Sequence, residues 1–354
     1  ILVRDTDGDV DYRSGWVRVL NFGDRRCVVN TASDVDDGAS NCTGSYGADG
    51  RLSLSEAVRI SNNTFGTDRI TFSGPMTITS TGAYSITGDT EIYAQAGVIL
   101  VGKTITVPTD NADVSVYGLE MTGQTAPFST TGNSADLTFT DVNFHDMAGI
   151  SSTRAALLLD QVRMSNCTQA CVSKTTTSSG LVTIRYSELR SSPTRPAVSF
   201  SGGCASGTLL DMFSNTLTDF AFGVQASCSG TMLIRHNTFE AVGTGIALNG
   251  GSNNVVQNNI FTNISVTAAT CGSATFTTRS HHQLFSNASN GCLNGDPNTL
   301  TSDPTYAFAS ADDLRLAFGS PAINTAFNTG LDVCLGLPGD FIGSGPDRGG
   351  RESY

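Results

Sequence analysis

Two groups of side chains have types and spacings suited to chemistry. The first is Asp5-Thr6-Asp7-Gly8-Asp9-Val10-Asp11. Alternating carboxylates around a glycine turn supply several oxygens, and Ca²⁺ takes about six to eight of them at about 2.4 Å. The spacing predicts a calcium site on Asp5, Asp7, Asp9 and Asp11, against the alternative of a solvated acidic segment. The second group emerges by counting back from the bulky apolar residues that end a series of short alternating runs: Met121, Phe144, Met164, Leu189, Leu217, Phe239 and Phe261. One position before these ends stand Glu120, Asn143, Arg163, Glu188, Thr216 and Thr238. Four before stand Tyr117, Thr140, Asp160, Arg185, Phe213 and Arg235. Three before stand Gly118, Asp141, Gln161, Tyr186, Ser214 and His236.

Stacked run upon run, these columns cluster Asp141, Asp160, Arg163, Arg185 and Glu188, with His236 further along. A lyase acting on an acidic glycan needs a base for the proton beside the uronate carboxyl, and a cation to neutralise that carboxyl. Arg163, Arg185 or His236 fits the first role, and Asp141 with Asp160 fits the second as Ca²⁺ ligands. A hydrolase would need two carboxyl groups. The plainer reading is a solvent face on which Asp, Glu and Arg pair between neighbouring strands, at about 0–1 kcal/mol per pair. Aromatic residues for stacking sugars are few on it: Tyr117, Tyr186 and Phe213.

The runs themselves are Val114–Met121, Leu137–Phe144, Leu157–Met164, Val182–Leu189, Leu210–Leu217, Met232–Phe239 and Asn254–Phe261, and their ends are 23, 20, 25, 28, 22 and 22 residues apart. Second apolar pairs follow several of them, as in Gly149-Ile150, Cys171-Val172, Ala197-Val198, Gly223-Val224 and Gly245-Ile246. Each repeat thus carries at least two short strands with period-two alternation. A unit of this length cannot bury its apolar face alone, so stacking must build one continuous core. Asparagines at the bends, in Ser214-Asn215, His236-Asn237 and Asn258-Asn259, suit sharp left-handed corners, and on successive rungs they can bond one another. The expected fold is all-β: a right-handed parallel β-helix of about ten rungs at ~4.8 Å each. An antiparallel β-sandwich is the alternative, and it accounts poorly for the period.

Composition narrows the partners. There are 32 acidic and 20 basic residues, for a net charge of −12, which opposes nucleic acid and anionic membranes as partners. No apolar run approaches the ~20 residues of a membrane span. Nine cysteines lack zinc spacing and point to an oxidising compartment. One rung separates Cys204 from Cys228 and Cys271 from Cys292. Cys167 with Cys171 would staple a turn, and Cys27 with Cys42 the start of the chain, leaving Cys334 over. The chain opens at Ile1 rather than Met, which reads as a processed product.

Residues 52–63 carry a helix signal: Ser53 and Glu56 form a capping box, Leu52 and Ala57 a hydrophobic staple, and Leu54, Ala57, Val58 and Ser61 one modest apolar face. Such a helix would cover the open end of the solenoid. The expected organisation is an acidic segment (1–26), an N-terminal cap (27–68), the β-helix (69–294) and an irregular C-terminal cap (295–354).

These end segments resemble a family. Leu52-Ser53-Leu54-Ser55-Glu56-Ala57-Val58, preceded by VVNTASDVDDG and followed by Asn62-Asn63 and Asp68-Arg69-Ile70-Thr71-Phe72, is similar to the C-S-L-R-E-A-I segment of bacterial secreted β-helix proteins. Leu52 and Ser55 stand where that motif has Cys and Arg. Asp303-Pro304, Tyr306, Leu314-Arg315-Leu316 and Gly319-Ser320-Pro321-Ala322-Ile323-Asn324 resemble the family's C-terminal part. Asp347 to Glu352 resembles its closing D-I-G-A-Y-E. The resemblance implies a β-helix placed outside the cell, secreted or on the bacterial surface. It leaves the role open among surface proteins, adhesins and polysaccharide-active enzymes. The reading adopted is a non-catalytic structural, adhesive or filament-forming protein, with a glycan, a cell surface or itself as partner. The alternative is a polysaccharide lyase or epimerase acting through Asp141, Asp160, Arg163, Arg185, Glu188 and His236.

Overall fold

The computed structural model describes residues 25–327, apart from positions 45, 65, 126–127, 131–134, 154, 176–179, 203–205, 278–282, 294–297 and 309–312. It also describes 347–349 and a short strand pair, Val3–Arg4 with Val10–Asp11. The fold is a right-handed parallel β-helix. A ten-stranded parallel sheet, here the first face, runs from Arg26–Val29 through Asp113–Tyr117, Asp136–Thr140, Ala156–Asp160 and Val182–Arg185 to Val255–Gln257. A second sheet of 17 strands bends lengthwise into two further faces. In one rung, Asp136–Thr140 lies on the first face, Asn143–His145 on the second and Ile150–Ser152 on the third.

Each run read from the sequence as a single strand is therefore two strands with a corner between them. The corner is one residue in the left-handed region. Gly118, Asp141, Gln161, Tyr186, Ser214, His236 and Asn258 stack there with φ of 51–66°. A second column, from Gly102 and Gly123 through Asp146, Asn166, Ser191, Asp219, Ala241 and Asn263 to Asn287, turns the second face into the third at φ of 48–83°. At Gly118 a Cβ would lie 2.5 Å from the Ala94 carbonyl oxygen, so this corner position admits only glycine without a shift. The polar residues at these corners bond locally and tolerate this backbone better than branched ones.

The apolar run ends form one inward column. Met121 pairs with Phe144, Phe144 with Met164, Met164 with Leu189, Leu189 with Leu217, Leu217 with Phe239 and Phe239 with Phe261. All are buried. Rings stack along the rod, with Phe239 and Phe261 centroids 4.9 Å apart at 6°. Just inside the first corner, the inward residues change from Leu119, Val142 and Val162 to Ser187, Asn215, Asn237 and Asn259. The three asparagines form a hydrogen-bonded ladder that ends on Gln283.

The helix is Leu54–Asn62, with Ser53 as its N-cap and the Ser53–Glu56 capping box formed. Glu56 does more than cap. One carboxylate oxygen takes the Ser53 N–H (3.0 Å), while the other takes the N–H groups of Asp37 (3.2 Å) and Ala39 (2.9 Å). This buried side chain ties the loop before the helix to its first turn. At the other end, Tyr306–Phe308 pairs antiparallel with Asp313–Leu316. Asp347 and Arg348 are buried against the rod.

Candidate functional site

The register places the outward residues in the columns the spacing predicts. Tyr117 pairs with Thr140, Thr140 with Asp160, Asp160 with Arg185, Arg185 with Phe213 and Phe213 with Arg235. Glu120 pairs with Asn143, Asn143 with Arg163 and Arg163 with Glu188.

These two columns lie on different faces. Asp160 and Arg185 close strands of the first face, whereas Arg163 and Glu188 open strands of the second. Asp141 stands at the corner between them, exposed, with φ of 53°. Most of the charges in these columns and their neighbours pair along the rod. Arg185 Nη2 reaches Asp160 Oδ2 at 2.8 Å, and Arg235 Nη2 reaches Asp211 Oδ1 at 2.6 Å. Glu188 lies between Arg190 and Arg163, the latter at 3.9 Å and 76% exposed. His145 lies between Asp146 and Glu120, at 3.0 Å from each. The hydrogen bonds it donates to Asp146 and then to Glu120 raise its pKa above the ordinary histidine value.

His236 is not on an open surface. The C-terminal segment crosses its corner and leaves the ring fully buried. Its Nδ1–H donates to the Asp347 carbonyl (3.1 Å), and Nε2 accepts from Asn258 Nδ2 (2.8 Å). Burial favours the neutral ring and lowers its pKa to about 4. The column count that placed it among the outward charges holds in register but not in exposure.

One feature of the first face escaped the sequence reading. The rings of Tyr93 and Tyr117 stack with centroids 4.3 Å apart at 6°, and the Arg69 guanidinium lies 4.6 Å from the Tyr93 centroid. Tyr93 is 24 residues before Tyr117, one rung earlier and in register with Thr71. That spacing was the available signal. Its strand, Thr90–Tyr93, ends without the apolar anchor used for counting.

Among the described residues three disulfides are formed: Cys27–Cys42, Cys167–Cys171 and Cys271–Cys292. Cys228 is buried. Cys204 and Cys334 lie outside the described residues, as do Asp5, Asp7 and Asp9, while of Asp11 only the backbone is described. Among the described residues, no group of three or more His, Cys, Asp or Glu side chains is disposed to hold a metal ion. No helix among them is long and apolar enough to cross a membrane.

With this geometry in view, residues 170–294 match the family model described as "Right handed beta helix region". Among solved structures, the chain is similar to pectate lyase Pel9A, with 13% identity, a TM-score of 0.45, and coverage of 94% of this chain and 97% of that one. No curated protein matches the sequence.

Proposed function

We propose that the chain is an extracellular or cell-surface β-helix protein with a structural and adhesive role, binding glycan without turning it over. One observation carries this reading. The charges whose spacing suggested chemistry are divided between two faces, and Asp160, Arg185 and Glu188 are each engaged in an ion pair with a neighbouring side chain. A base and the groups that neutralise the substrate carboxyl must converge on one site, whereas ladder pairs fix the outward faces of a rod. The disulfides fit an oxidising compartment. Calcium at Asp5, Asp7, Asp9 and Asp11 belongs to the same proposal, and calorimetric titration with Ca²⁺ tests it.

The deciding experiment follows unsaturated uronate absorbance over a panel of acidic polysaccharides, with and without Ca²⁺, alongside binding of the same protein to immobilised glycans and cells. A flat absorbance trace with retained binding is expected. A rise with one polymer, abolished by Arg163→Ala or Arg185→Ala, would overturn the non-catalytic reading and make the chain a lyase.

A further inference from the structure

The outward tyrosine ladder on the first face stops at Thr140. Tyr93 and Tyr117 stack ring on ring. The next position in register is Thr140 and the one after is Asp160. Rungs are ~4.8 Å apart, so Tyr117 and Asp160 stand about 10 Å apart along the rod with only a threonine between them. That gap has the thickness of one further ring. Its floor is mixed: Thr138 and Leu158, neighbours in the adjacent outward column, are both half-buried. At its side the corner residues are Gly118 on the rung of Tyr117 and the exposed Asp141 on the rung of the gap itself.

We propose that this gap is a subsite for one residue of a neutral, β-linked pyranose chain. A pyranose with equatorial hydroxyls presents axial C–H groups on its faces and hydroxyls around its edge. The C–H face would stack on the open side of Tyr117, continuing the ladder where a third tyrosine would stand. The hydroxyl edge would meet Asp160 and Arg185. Asp160 Oδ2 is taken by Arg185 Nη2, but Asp160 Oδ1 and Arg185 Nε have no hydrogen-bond partner. Both atoms are buried behind that ion pair, so the sugar hydroxyl would reach them only as the Arg185 side chain, 37% exposed, turns aside to admit it. Few, convergent polar groups beside an aromatic wall are the usual make-up of such a site.

Charge selects the class of chain. Along this stretch the outward charges are paired, Arg69 with Glu91 at 2.9 Å and Asp160 with Arg185. The opposite edge of the same sheet carries Asp89, Asp113 and Asp136 together: Asp113 pairs with Asp136 in register, and its N–H donates to Asp89. Burial, then Asp136 and Asp89, raise the Asp113 pKa. That acidic edge repels a polyanion laid across this face and leaves a neutral glycan unopposed.

This inference rests on the glycan-binding reading above and adds its place and ligand class. The test is calorimetric titration of the full chain with cellohexaose, and with a galacturonate hexamer for comparison. Thr140→Tyr extends the stack into the gap without removing a core contact, and Tyr117→Ala removes the stacking wall. Both variants are first checked for an unchanged thermal midpoint. The expected result is binding of cellohexaose that weakens at least tenfold in each variant, with weaker or no binding of the acidic hexamer. Cellohexaose binding unaffected by Thr140→Tyr overturns the subsite while leaving glycan binding intact. Binding of the acidic hexamer alone overturns the ligand class. Binding of neither hexamer overturns the subsite, and the cell and glycan panel then decides the wider reading.

Discussion

The side-chain amide of Asn215 donates to Oδ1 of Asn237 across 2.9 Å, and the same oxygen accepts the main-chain N–H of Asn215 at 3.1 Å. Asn237 repeats this one rung on, with its main-chain N–H and its side chain both reaching Asn259 Oδ1. The amides also bond carbonyls of the preceding strands. Each carboxamide thus bonds backbone of the preceding rung and the side chain of the following one, linking three levels inside the core.

Asn237→Leu removes an acceptor from two donors of Asn215 and a donor from the carbonyls of Met212 and Arg235. Buried polar groups left unpartnered cost about 1–3 kcal/mol each when water cannot reach them. The expected loss is about 2–4 kcal/mol, read as a lower urea midpoint. A loss no larger than that of an exposed asparagine outside the left-handed corners, such as Asn249→Leu, would show that the ladder contributes little.

Glu56→Gln should weaken the N-terminal cap. The carboxylate accepts from main-chain N–H groups on both oxygens, and an amide nitrogen cannot accept at either place. A loss of about 1–3 kcal/mol is expected, together with faster amide exchange at Asp37 and Ala39. Unchanged exchange there would argue against the tie between loop and helix.

His236 sets a pH dependence. Its native pKa is about 4, below the value of roughly 6.5 expected in the unfolded chain. The unfolded state therefore binds the proton first as pH falls. Stability from this group is intact above the unfolded value and is lost progressively down to about pH 4, in total ~3 kcal/mol. Urea midpoints near neutrality and near pH 4.5 should differ less in His236→Gln than in the parent protein. Equal slopes in the two would remove His236 as the cause.

The Cys271–Cys292 bridge joins positions 21 residues apart on adjacent rungs. Replacing both with alanine should cost about 3 kcal/mol through the freed chain entropy. Because each rung contacts mainly its neighbours, lost amide protection should concentrate near Ala269 and leave the strand Asp113–Tyr117 protected. Uniform loss of protection along the rod would contradict this local picture.

Much of the fold was legible in the sequence because the bulky run ends recur at rung spacing and pack in one column. The corner between the first two faces was also written there. Val114, Val116, Leu119 and Met121 are all buried, and their spacing breaks from two to three at Gly118. The signal faded along the chain as Leu119 gave way to Ser187 and Asn215, which are inward yet polar. The charge columns were recovered in register, but counting positions cannot show that one left-handed residue sends Asp160 and Arg163 to different sheets. Nor could it foresee the burial of His236, whose covering carbonyl comes from Asp347, 111 residues later.

The segment that buries His236 also determines where the rod would bear tension. Gly349 N–H bonds the Asn258 carbonyl, and the Asn258 side chain holds Phe327 on both its donor and acceptor sides. Arg348 reaches the carbonyls of Gln283, Asn298 and Thr325. A pull on the chain after Gly349 is therefore delivered to rungs within the stack, across several bonds loaded side by side. Under the proposed surface-bound role, with load applied through this end, that attachment would make detachment a shearing event, whose rate is set by the unfolding barrier under load.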